Sequence, residues 1–562
     1  MSAAILDIEQ IKRSSRYLRG RLRESMADEL TGAIAPEDSQ ISKFHGFYQQ
    51  DDRDRRQSRR EQLLEPYYGF MLRARLPGGV CTPAQWLTID RLGQTLANGT
   101  LRLTTRQSFQ YHGILKGNLR PVIRGINEAL IDSIGGCGDV NRNVLCNPNP
   151  VESALHLAVY EWAKRISEHL LPRSRAYHEL WLDGEQVAGG EEAEPIYGEA
   201  YLPRKFKTAV AVPPHNDVDV YSNDLGFVAV ATGERLLGFN VLAGGGMGTT
   251  HGDPSTFPRL ADELGFVAPE HTLAVAEAVV TTQRDFGDRQ NRKQARLKYT
   301  IERMGLEAFR AEVERRAGVA FAPARAVRFT DQGDRYGWVK GRDQRWHLTL
   351  SIESGRIRDG DGHTAMTGLR EIARIHRGDL RITPNQNLIV AGVPARSKAA
   401  IEGLAREHGL LADGQSTLRR HGIACVALPT CPLAMAEAER YFPELLTRLE
   451  RLAQDHGLAE QPLVVRMTGC PNGCARPYLA EIGLVGKAPG RYNLLLGGNG
   501  IGTRLTRPYR ENLGEAEILA ELDVLFGQYA AERDAGEGFG DFLVRSGRIR
   551  PVVNPAEDYH AE

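Results

Sequence analysis

The sequence predicts an α+β protein in which one structural half has been duplicated. Short segments rich in apolar and β-branched residues alternate with segments of helical periodicity, a pattern typical of α+β proteins. Two motifs of the N-terminal part recur in the C-terminal part in the same order. Their separation is far longer than the period of a solenoid repeat, so we expect two pseudo-equivalent lobes that face each other across one site.

The recurring motifs are short but closely matched. Residues 101–107 (Leu-Arg-Leu-Thr-Thr-Arg-Gln) return as residues 380–386 (Leu-Arg-Ile-Thr-Pro-Asn-Gln). Further along each copy, residues 239–245 (Phe-Asn-Val-Leu-Ala-Gly-Gly) return as residues 492–498 (Tyr-Asn-Leu-Leu-Leu-Gly-Gly). Either match alone could be a coincidence, but two matches in one order argue for duplication.

The composition is that of a globular protein and excludes several classes. Hydrophobic residues make up 41% and charged residues 25% of the chain, and the 71 basic side chains balance the 71 acidic ones. Nothing in this balance indicates nucleic-acid or membrane binding, and no segment has the ~20 apolar residues that span a bilayer. The 59 glycines favour close backbone approaches, as a protein wrapped around a large planar ligand needs. Residues 1–16 lack the apolar core of a signal peptide, so with seven cysteines in a long chain we expect the reducing cytoplasm.

Two polar segments have more than one interpretation. Residues 1–60 are arginine-rich and end in the charged run 53–60, which indicates either a solvated, partly disordered arm or a segment that docks a partner. A helical tract includes residues 271–280 and 299–317, whose apolar spacing indicates packing. Within it, the basic stretch 292–298 predicts a solvated face, although one of its cations could reach an anionic cofactor.

Four of the seven cysteines form two pairs that suit a metal centre. Cys425 and Cys431 flank five residues, and Cys470 and Cys474 flank three. Four thiolates can hold a tetrahedral zinc or a cubane iron–sulfur cluster, but the five-residue gap fits the compact knuckles of zinc sites poorly. The glycines of the second loop let the backbone approach the metal, and Pro432 predicts the first turn of a helix directed at the centre. The other three cysteines have no such spacing and are expected to be buried apolar residues: Cys81, Cys137 and Cys146.

Basic residues recur in segments that could converge on an anion. Residues 101–112 alternate in polarity, which predicts one strand whose polar face carries Arg102 and Arg106, although a solvated sheet edge would show the same pattern. The other candidate cations lie near turn-like segments: Arg73, Arg75, Arg142, Arg204, Lys205 and Lys207. The two lysines flank one residue, so in an extended segment they point to the same side. Arginine makes planar bidentate contacts with carboxylates and oxyanions, while lysine is a compact charge that can donate a proton.

Together these segments resemble the sirohaem-dependent sulfite and nitrite reductases, and among them the assimilatory NADPH-dependent branch. The resemblance covers nearly the whole chain from about residue 67 onward, and its cysteine signature is highly specific to this family. The motifs that carry it are Arg73-Ala-Arg-Leu-Pro-Gly-Gly, Thr105-Arg-Gln-Ser-Phe-Gln-Tyr-His-Gly-Ile, Asn141-Arg-Asn-Val-Leu-Cys, Tyr201-Leu-Pro-Arg-Lys-Phe-Lys-Thr, Thr430-Cys-Pro-Leu-Ala, Thr468-Gly-Cys-Pro-Asn-Gly-Cys and Gly536-Glu-Gly-Phe-Gly-Asp-Phe.

The resemblance implies a duplicated sulfite/nitrite reductase fold of the α+β class. Two pseudo-symmetric lobes with ferredoxin-like halves would surround a central sirohaem/[4Fe–4S] site. It divides the chain into a possible partner-docking arm, a first ferredoxin-like half, a sirohaem-binding lobe, a second ferredoxin-like half and a cluster-binding lobe, which span residues 1–60, 61–135, 136–330, 331–400 and 401–562.

The resemblance also implies roles for individual residues. Cys425, Cys431, Cys470 and Cys474 would hold the [4Fe–4S] cluster, with the Cys474 sulfur also an axial ligand of the sirohaem iron. The residues that would bind sulfite and deliver protons are Arg73, Arg142, Lys205 and Lys207. The residues expected near the sirohaem and its carboxylates are Arg102, Arg106, His112 and Arg204. All of these residue types are present at the matching positions.

The implied activity is the six-electron reduction of sulfite to sulfide in sulfate assimilation and cysteine biosynthesis. No side chain supplies electrons, so the cofactors must carry them. The sequence has no dinucleotide fingerprint between a strand and a helix, so we expect a flavoprotein (alpha) subunit to deliver electrons from NADPH, although ferredoxin remains an alternative donor. Two rival functions stay open: a ferredoxin-dependent nitrite reductase on the same fold, and a zinc- or cluster-bearing binding protein without turnover.

Overall fold

The computed structural model describes residues 7–149, 152–174, 180–182, 185–188 and 194–561. Among these residues, no helix is both long and apolar enough to cross a membrane. The helices are α1 (Ile8–Ser14), α2 (Leu22–Ala27), α3 (Pro36–Ile41), α4 (Arg56–Glu61), α5 (Pro83–Leu96), α6 (Leu119–Glu128), α7 (Ala154–His169), α8 (Thr272–Phe286), α9 (Leu297–Met304), α10 (Leu306–Ala317), α11 (Ala365–Ile375), α12 (Lys398–Glu407), α13 (Thr417–Arg420), α14 (Phe442–Asp455), α15 (Glu515–Glu532), α16 (Phe539–Arg545) and α17 (Pro555–Asp558).

The strands form four five-stranded sheets and two short hairpins. In chain order they are β1 (Phe47–Asp51), β2 (Tyr68–Arg73), β3 (Val80–Cys81), β4 (Leu101–Leu103), β5 (Phe109–Ile114), β6 (Leu145–Cys146), β7 (Leu180–Leu182), β8 (Glu185–Ala188), β9 (Thr208–Ala211), β10 (Leu225–Thr232), β11 (Arg235–Ala243), β12 (Asp262–Val267), β13 (Gly337–Lys340), β14 (Trp346–Leu350), β15 (Arg356–Ile357), β16 (Asp359–Gly360), β17 (His363–Thr364), β18 (Asp379–Ile382), β19 (Leu388–Val393), β20 (Ile423–Ala424), β21 (Val465–Thr468), β22 (Ile482–Ala488), β23 (Arg491–Leu496) and β24 (Arg507–Leu513). The large sheets have the orders β1-β2-β5-β4-β15, β12-β11-β10-β9-β6, β13-β14-β19-β18-β3 and β20-β21-β22-β23-β24.

The first and third of these sheets exchange their edge strands. β15, from the second copy of the repeat, pairs with β4 of the first copy, and β3 of the first copy pairs with β18 of the second. The exchange is symmetric in register, since Arg102 lies opposite Arg356 while its echo, Arg381, lies opposite Val80. One hydrophobic core joins both sheets and their helices, and it includes fully buried residues of each copy such as Trp86. The two copies are therefore joined, because each contributes an edge strand to the sheet of the other.

The second and fourth sheets repeat one another strand by strand. In the second sheet, the two-residue strand β6 lies parallel to β9, and β9 lies parallel to β10, the first strand of an antiparallel set. In the fourth sheet, β20, β21 and β22 have the same arrangement. Leu145 of β6 pairs with Ala209 as Ile423 of β20 pairs with Arg466. This equivalence of register confirms the duplication that the sequence echoes predict, and it fixes which residues of the two copies correspond.

The alternation in residues 101–112 predicts one strand, and this prediction is wrong. Residues 101–103 and 109–114 form β4 and β5, and the residues between them turn the chain, with Gln107 at φ 50°. The turn is closed by the Thr104 N–H, which donates to Ser108 O (3.0 Å). Polar alternation cannot separate a strand from a hairpin whose turn residues are themselves polar. Because the turn repeats at Gln386 (φ 70°), it belongs to the duplicated fold.

The N-terminal segment is folded rather than a solvated, disordered arm. In the described part, residues 7–60 form four helices and β1. Lys12 of α1 is fully buried, and its Nζ donates to Leu202 O (2.8 Å) and pairs with Glu9. Because a buried ammonium is tolerated only with acceptors, these contacts fix α1 against the lobe. The helical tract is confirmed, although α9 and α10 are separated at Gly305, which has φ 83°.

Candidate cofactor and anion site

The two loops that carry the paired cysteines leave the same edge of the fourth sheet. Cys425 follows β20 directly, and Cys470 lies just after β21. These strands are parallel neighbours, with Ala424 opposite Met467, so the loops at their carboxyl ends meet. The Cys425 N–H donates to Met467 O (3.1 Å) and extends the pairing into the loop. The three cysteines outside these loops are buried free thiols, as expected: Cys81, Cys137 and Cys146.

N–H donors point at the sulfurs of these loops. The Gly469 N–H donates to Cys425 Sγ (3.3 Å), and the Asn472 side-chain amide lies 3.6 Å from Cys470 Sγ. After Cys431, the Ala434 N–H donates to the Cys431 carbonyl (3.2 Å). N–H donors to sulfur stabilise thiolates and tune the reduction potential of an iron–sulfur cluster.

Three of the four thiols have raised pKa values. Burial, followed by the nearby Cys474 thiol, raises the pKa of Cys425 and Cys431, and it raises the pKa of Cys470 to about 12. Four thiolates can therefore coexist here only around a strongly cationic centre. Within the described ranges, no three His, Cys, Asp or Glu side chains are arranged to hold a single metal ion. The five-residue gap between Cys425 and Cys431 fits a cubane, whose irons spread between the loops, better than one zinc.

The helix predicted to begin at Pro432 is not present. Residues 431–441 form turns, and the next helix, α14, begins at Phe442. The N–H groups of Met435 and Ala436 instead both donate to Gly469 O (2.7 and 3.1 Å). A helix would have used these donors internally, so the turns exchange helical bonds for a connection between the two cysteine loops.

The equivalent loops of the first copy carry no cysteine. Counting from the paired strands, Asn147 corresponds to Cys425, and Asp217 corresponds to Cys474. These two residues bond to each other, since Asn147 Nδ2 donates to Asp217 Oδ2 (2.7 Å). The duplicated architecture therefore offers one thiol centre and, in the other copy, a polar contact at the same place.

Two of the predicted anion-binding arginines lie side by side. Arg73 Nη1 and Arg142 Nη1 both donate to the same carbonyl, Gly136 O, at 3.2 and 3.0 Å. Arg73 Nη1 also lies 3.3 Å from Cys137 Sγ, and Arg142 Nε donates to Gly138 O (2.8 Å). Carbonyls and a thiol hold the guanidinium groups in place without neutralising them.

The two predicted lysines flank a fully buried phenylalanine, Phe206. Lys205 and Lys207 are half-buried, and among the described residues neither ammonium has a hydrogen-bond acceptor or an ion-pair partner. Burial, followed by the nearby Arg204, lowers the pKa of Lys205 to about 7. Burial, followed by Lys205, lowers the pKa of Lys207 well below its ordinary value. The fold therefore brings together two lysines that have no counter-ion among the described residues.

Arg106 and His112 each keep one buried nitrogen without a partner. Arg106 Nη1 donates to Asn223 Oδ1 (2.9 Å), but its Nε has no acceptor in the described structure. His112 Nδ1 lies 3.2 Å from Gln50 Oε1, while its buried Nε2 has no partner there. Burial, followed by Arg142, lowers the pKa of Arg106 to about 9. Orphaned donors of this kind fit the carboxylates of an anionic cofactor.

The remaining two predicted cofactor contacts differ from each other. Arg204 has no acceptor within the described ranges, and burial, followed by Arg292, lowers its pKa to about 10. Arg102 is already paired, because its Nε donates to Glu439 Oε2 (2.7 Å) and its Nη2 to Ala424 O (2.9 Å). Arg356 binds the same carboxylate at 2.6 Å. Arg204 is thus free to meet an anion, whereas Arg102 braces the strand before Cys425.

Arg53 is a contributor that the sequence did not single out. Its Nη1 donates to Cys431 O (3.3 Å) and Ala434 O (2.5 Å), and its N–H donates to Pro429 O (3.2 Å). The only signal was its place in a charged run, and the charge pattern cannot reveal a partner more than three hundred residues away. Arg53 clamps the first cysteine loop.

The basic stretch 292–298 is not simply a solvated face. Arg296 is 8% exposed and forms a bidentate pair with Asp224 (3.0 and 2.7 Å). Lys298 is 1% exposed, and its Nζ donates to Gly248 O (2.9 Å) and to two further carbonyls. Their acceptors come from distant loops, which the local pattern of charges could not predict.

Comparisons with known proteins agree with this architecture. The family model described as "Nitrite/Sulfite reductase ferredoxin-like half domain" matches twice, at residues 64–129 and 339–408, which confirms the two ferredoxin-like halves. The model described as "Nitrite and sulphite reductase 4Fe-4S domain" matches residues 161–321. That segment contains no cysteine, so the match falls on the copy equivalent to the one with the thiols.

Relatives match along the whole chain. The sulfite reductase [NADPH] hemoprotein beta-component of Thiocapsa roseopersicina is 74% identical over 560 residues, covering 100% of both chains. That of Shewanella frigidimarina (strain NCIMB 400) is 63% identical, covering 98% of each. The structure of the Mycobacterium tuberculosis NirA protein superposes with a TM-score of 0.77 over 96% of both chains, at 24% identity, and confirms the fold. The chain therefore belongs to the nitrite and sulfite reductase family, alongside the hemoprotein beta-components of NADPH sulfite reductases.

Proposed function

We propose that this chain reduces sulfite to sulfide with sirohaem and a [4Fe–4S] cluster, at the cations that face the loop of Cys474. The observation that carries the proposal is the set of cations without counter-anions beside a four-thiol centre. Burial is the largest influence on the pKa of Arg73, Lys205 and Lys207, and Cys474 is among the nearby charges that act on each of them. A thiol centre can hold a redox cofactor, and unpaired cations beside it are suited to an oxyanion.

The residues divide naturally between the two cofactors. Cys425, Cys431, Cys470 and Cys474 would hold the cluster, and Cys474 would also help to hold the sirohaem. Arg106, His112 and Arg204 would meet the sirohaem carboxylates with their unpartnered donors. Arg102 would act indirectly, because Glu439 and the backbone of β20 already hold it. When bound, the cofactors supply electrons one at a time to the substrate.

The chain's own cations would bind sulfite and supply its protons. Arg73 and Arg142 share Gly136 O, so both guanidinium groups are fixed and can orient the sulfite oxygens. Lys205 has a pKa of about 7, because burial and then Arg204 lower it. A lysine poised near neutrality can give up a proton and regain it from water, as a general acid must in repeated steps. Lys207, two residues further along the chain, would serve a second oxygen.

The electron donor would be a flavoprotein subunit that oxidises NADPH. The relatives' names contain both NADPH and "beta-component", while this sequence has no dinucleotide fingerprint. A separate chain must then bind the nucleotide. We place this reaction in the cytoplasm, where NADPH and reduced thiols are available.

The first experiment is the visible spectrum of the purified protein, with iron and acid-labile sulfide assays. Sirohaem bands with about four non-haem irons per chain, the content of one cubane, are expected. Sulfide formation from sulfite, driven by reduced methyl viologen, then tests the activity without a protein donor. A preparation that carries both cofactors but reduces nitrite with the higher kcat/KM would favour the nitrite reductase alternative. A protein that stays colourless after expression with adequate iron and sirohaem synthesis would contradict the proposal.

A further inference from the structure

An open groove of about 1020 Å³ lies between α2 and α6, and none of its lining residues belongs to the site described above. Its floor is apolar: Phe47 and Leu119 are buried there, while Met26 and Ile123 remain half-exposed. One turn of an α-helix, with a diameter of 10–12 Å and a pitch of 5.4 Å, fills roughly 400–600 Å³. The groove therefore has room for roughly two helical turns. We call it the α6 groove.

The rim of the α6 groove is basic. Arg120 and Arg124 lie four residues apart on α6, both exposed, and both also line an adjoining groove of about 500 Å³ together with Arg91 of α5. In the described part of the chain, none of these three guanidinium groups has an ion-pair partner or a hydrogen-bond acceptor. The acidic residue that lines both grooves is Glu128. Like charges four residues apart repel and weaken a helix, so these arginines do not serve the stability of α6.

The duplicated copy shows that the fold does not require this basic pair. Helix α12 is the counterpart of α6, since each follows the last strand of its hairpin through one short helical turn. The second and sixth residues of α6 are Arg120 and Arg124, and those of α12 are Ala399 and Gly403. The same backbone is thus built without the charges. Their presence on one copy alone points to recognition rather than folding.

We propose that the α6 groove docks an acidic amphipathic helix of the flavoprotein component that delivers electrons to this chain. An apolar floor with a cationic rim matches a helix that has apolar residues on one face and Asp or Glu beside them. A nucleic acid would use the cations but not the floor. The identity of the partner rests on the proposed function. Docking here would tether the donor and leave the cysteine loops open to its redox group.

The test compares two ways of driving sulfite reduction in the loaded protein. The variant Arg120→Glu/Arg124→Glu replaces two attractions with two repulsions, so NADPH-driven activity with the flavoprotein should fall about tenfold or more at low salt. Methyl viologen needs no docking surface, so viologen-driven activity should be unchanged. Sedimentation of the mixture should show loss of the complex. The matched control Arg328→Glu/Arg396→Glu reverses two exposed arginines elsewhere and should keep both activities and the complex.

Each other outcome has one meaning. If the reversal keeps the complex and the NADPH-driven rate, or if the control loses them equally, the proposal is wrong. If the chain alone self-associates and the reversal abolishes that, the occupant is a second copy and the proposal is also wrong. If Arg120→Glu/Arg124→Glu loses viologen-driven activity, the milder variant Arg120→Gln/Arg124→Gln is tested instead. For that variant, the NADPH-driven rate is compared with the viologen-driven rate. A wild-type chain without viologen-driven activity would instead contradict the proposed function.

Discussion

Asp219 and Arg476 are equivalent residues of the two copies, and they form a buried ion pair with each other. Each precedes the equivalent strand, β10 or β22, by the same number of residues, and each has left-handed backbone angles, with φ 45° and φ 56°. Asp219 Oδ2 lies 2.6 Å from Arg476 Nε and also 2.6 Å from Arg466 Nη1. The two copies therefore meet in a contact between equivalent positions that carry opposite charges.

This ion pair lies next to the Cys474 loop and connects it to both echoes. Arg476, two residues after Cys474, donates through Nη2 to Pro384 O (3.0 Å) and through Nη1 to Thr105 O (3.4 Å). Cys474 itself accepts at its carbonyl from the Thr105 hydroxyl (3.2 Å). The Cys474 loop is thus positioned by contacts from both copies of the repeat.

Asp219→Asn tests this arrangement, because asparagine tolerates the left-handed backbone and removes only the charge. Two buried guanidinium groups would lose their counter-ion, so we expect the free energy of unfolding to fall by about 3–5 kcal/mol. Thermal denaturation of the loaded protein, followed by the loss of sirohaem absorption, measures it. Asp361→Asn is the control, since Asp361 pairs with Arg358 only across 3.8 Å at the surface and should change stability by less than about 1 kcal/mol. Equal effects of the two variants would show that the buried pair has no special role.

Lys207→Ala should slow sulfite turnover without disturbing the cofactors. The ammonium has no protein partner among the described residues, so its removal breaks no internal bond, and a positioned proton donor contributes about 10²-fold or more to the rate. Steady-state kinetics with reduced viologen measure kcat, while the visible and EPR spectra report the two cofactors. Lys293→Ala removes a surface lysine that pairs with Asp253 and serves as the control. Full sulfite activity in Lys207→Ala would remove this residue from the mechanism.

The pKa of about 7 at Lys205, lowered by burial and then by Arg204, predicts a pH dependence of sulfite binding. A lysine is charged below its pKa, so the pocket loses one positive charge as pH rises through neutrality, and KM for sulfite should rise. Sulfite itself changes charge in this range, so the comparison must be made with Lys205→Arg, which stays charged. We expect a flatter KM profile above pH 7 in that variant, measured with reduced viologen. Identical profiles in both proteins would mean that Lys205 keeps its proton throughout.

Local patterns predicted the duplication, the two cysteine pairs and the run of cations, because each can be recognised from short sequence motifs. The alternation of half-buried Lys205 and Lys207 with buried Phe206 follows from a period of two. By contrast, Glu439 neutralises Arg102 from 337 positions away, which no local pattern encodes. The helix expected at Pro432 failed because its N–H donors found Gly469 O on another loop. In both cases the deciding acceptor lies on a distant part of the chain.

The buried side chain of His347 in the second ferredoxin-like half predicts how the stability of the protein changes at acidic pH. This side chain is 2% exposed, and its Nδ1 accepts from the Gly392 N–H (3.2 Å), which requires the neutral ring. Burial, followed by Arg381, lowers its pKa to about 4 from an unfolded value of about 6.5. Its contribution is therefore complete above pH 6.5 and is lost as pH falls through 4, a total of roughly 3 kcal/mol. His347→Asn keeps an acceptor for Gly392 but cannot titrate, so its melting temperature should fall less than that of the wild type between pH 6.5 and 4.5. The exposed His363→Asn should leave that slope unchanged, and a wild-type slope in His347→Asn would place the acid sensitivity at other residues.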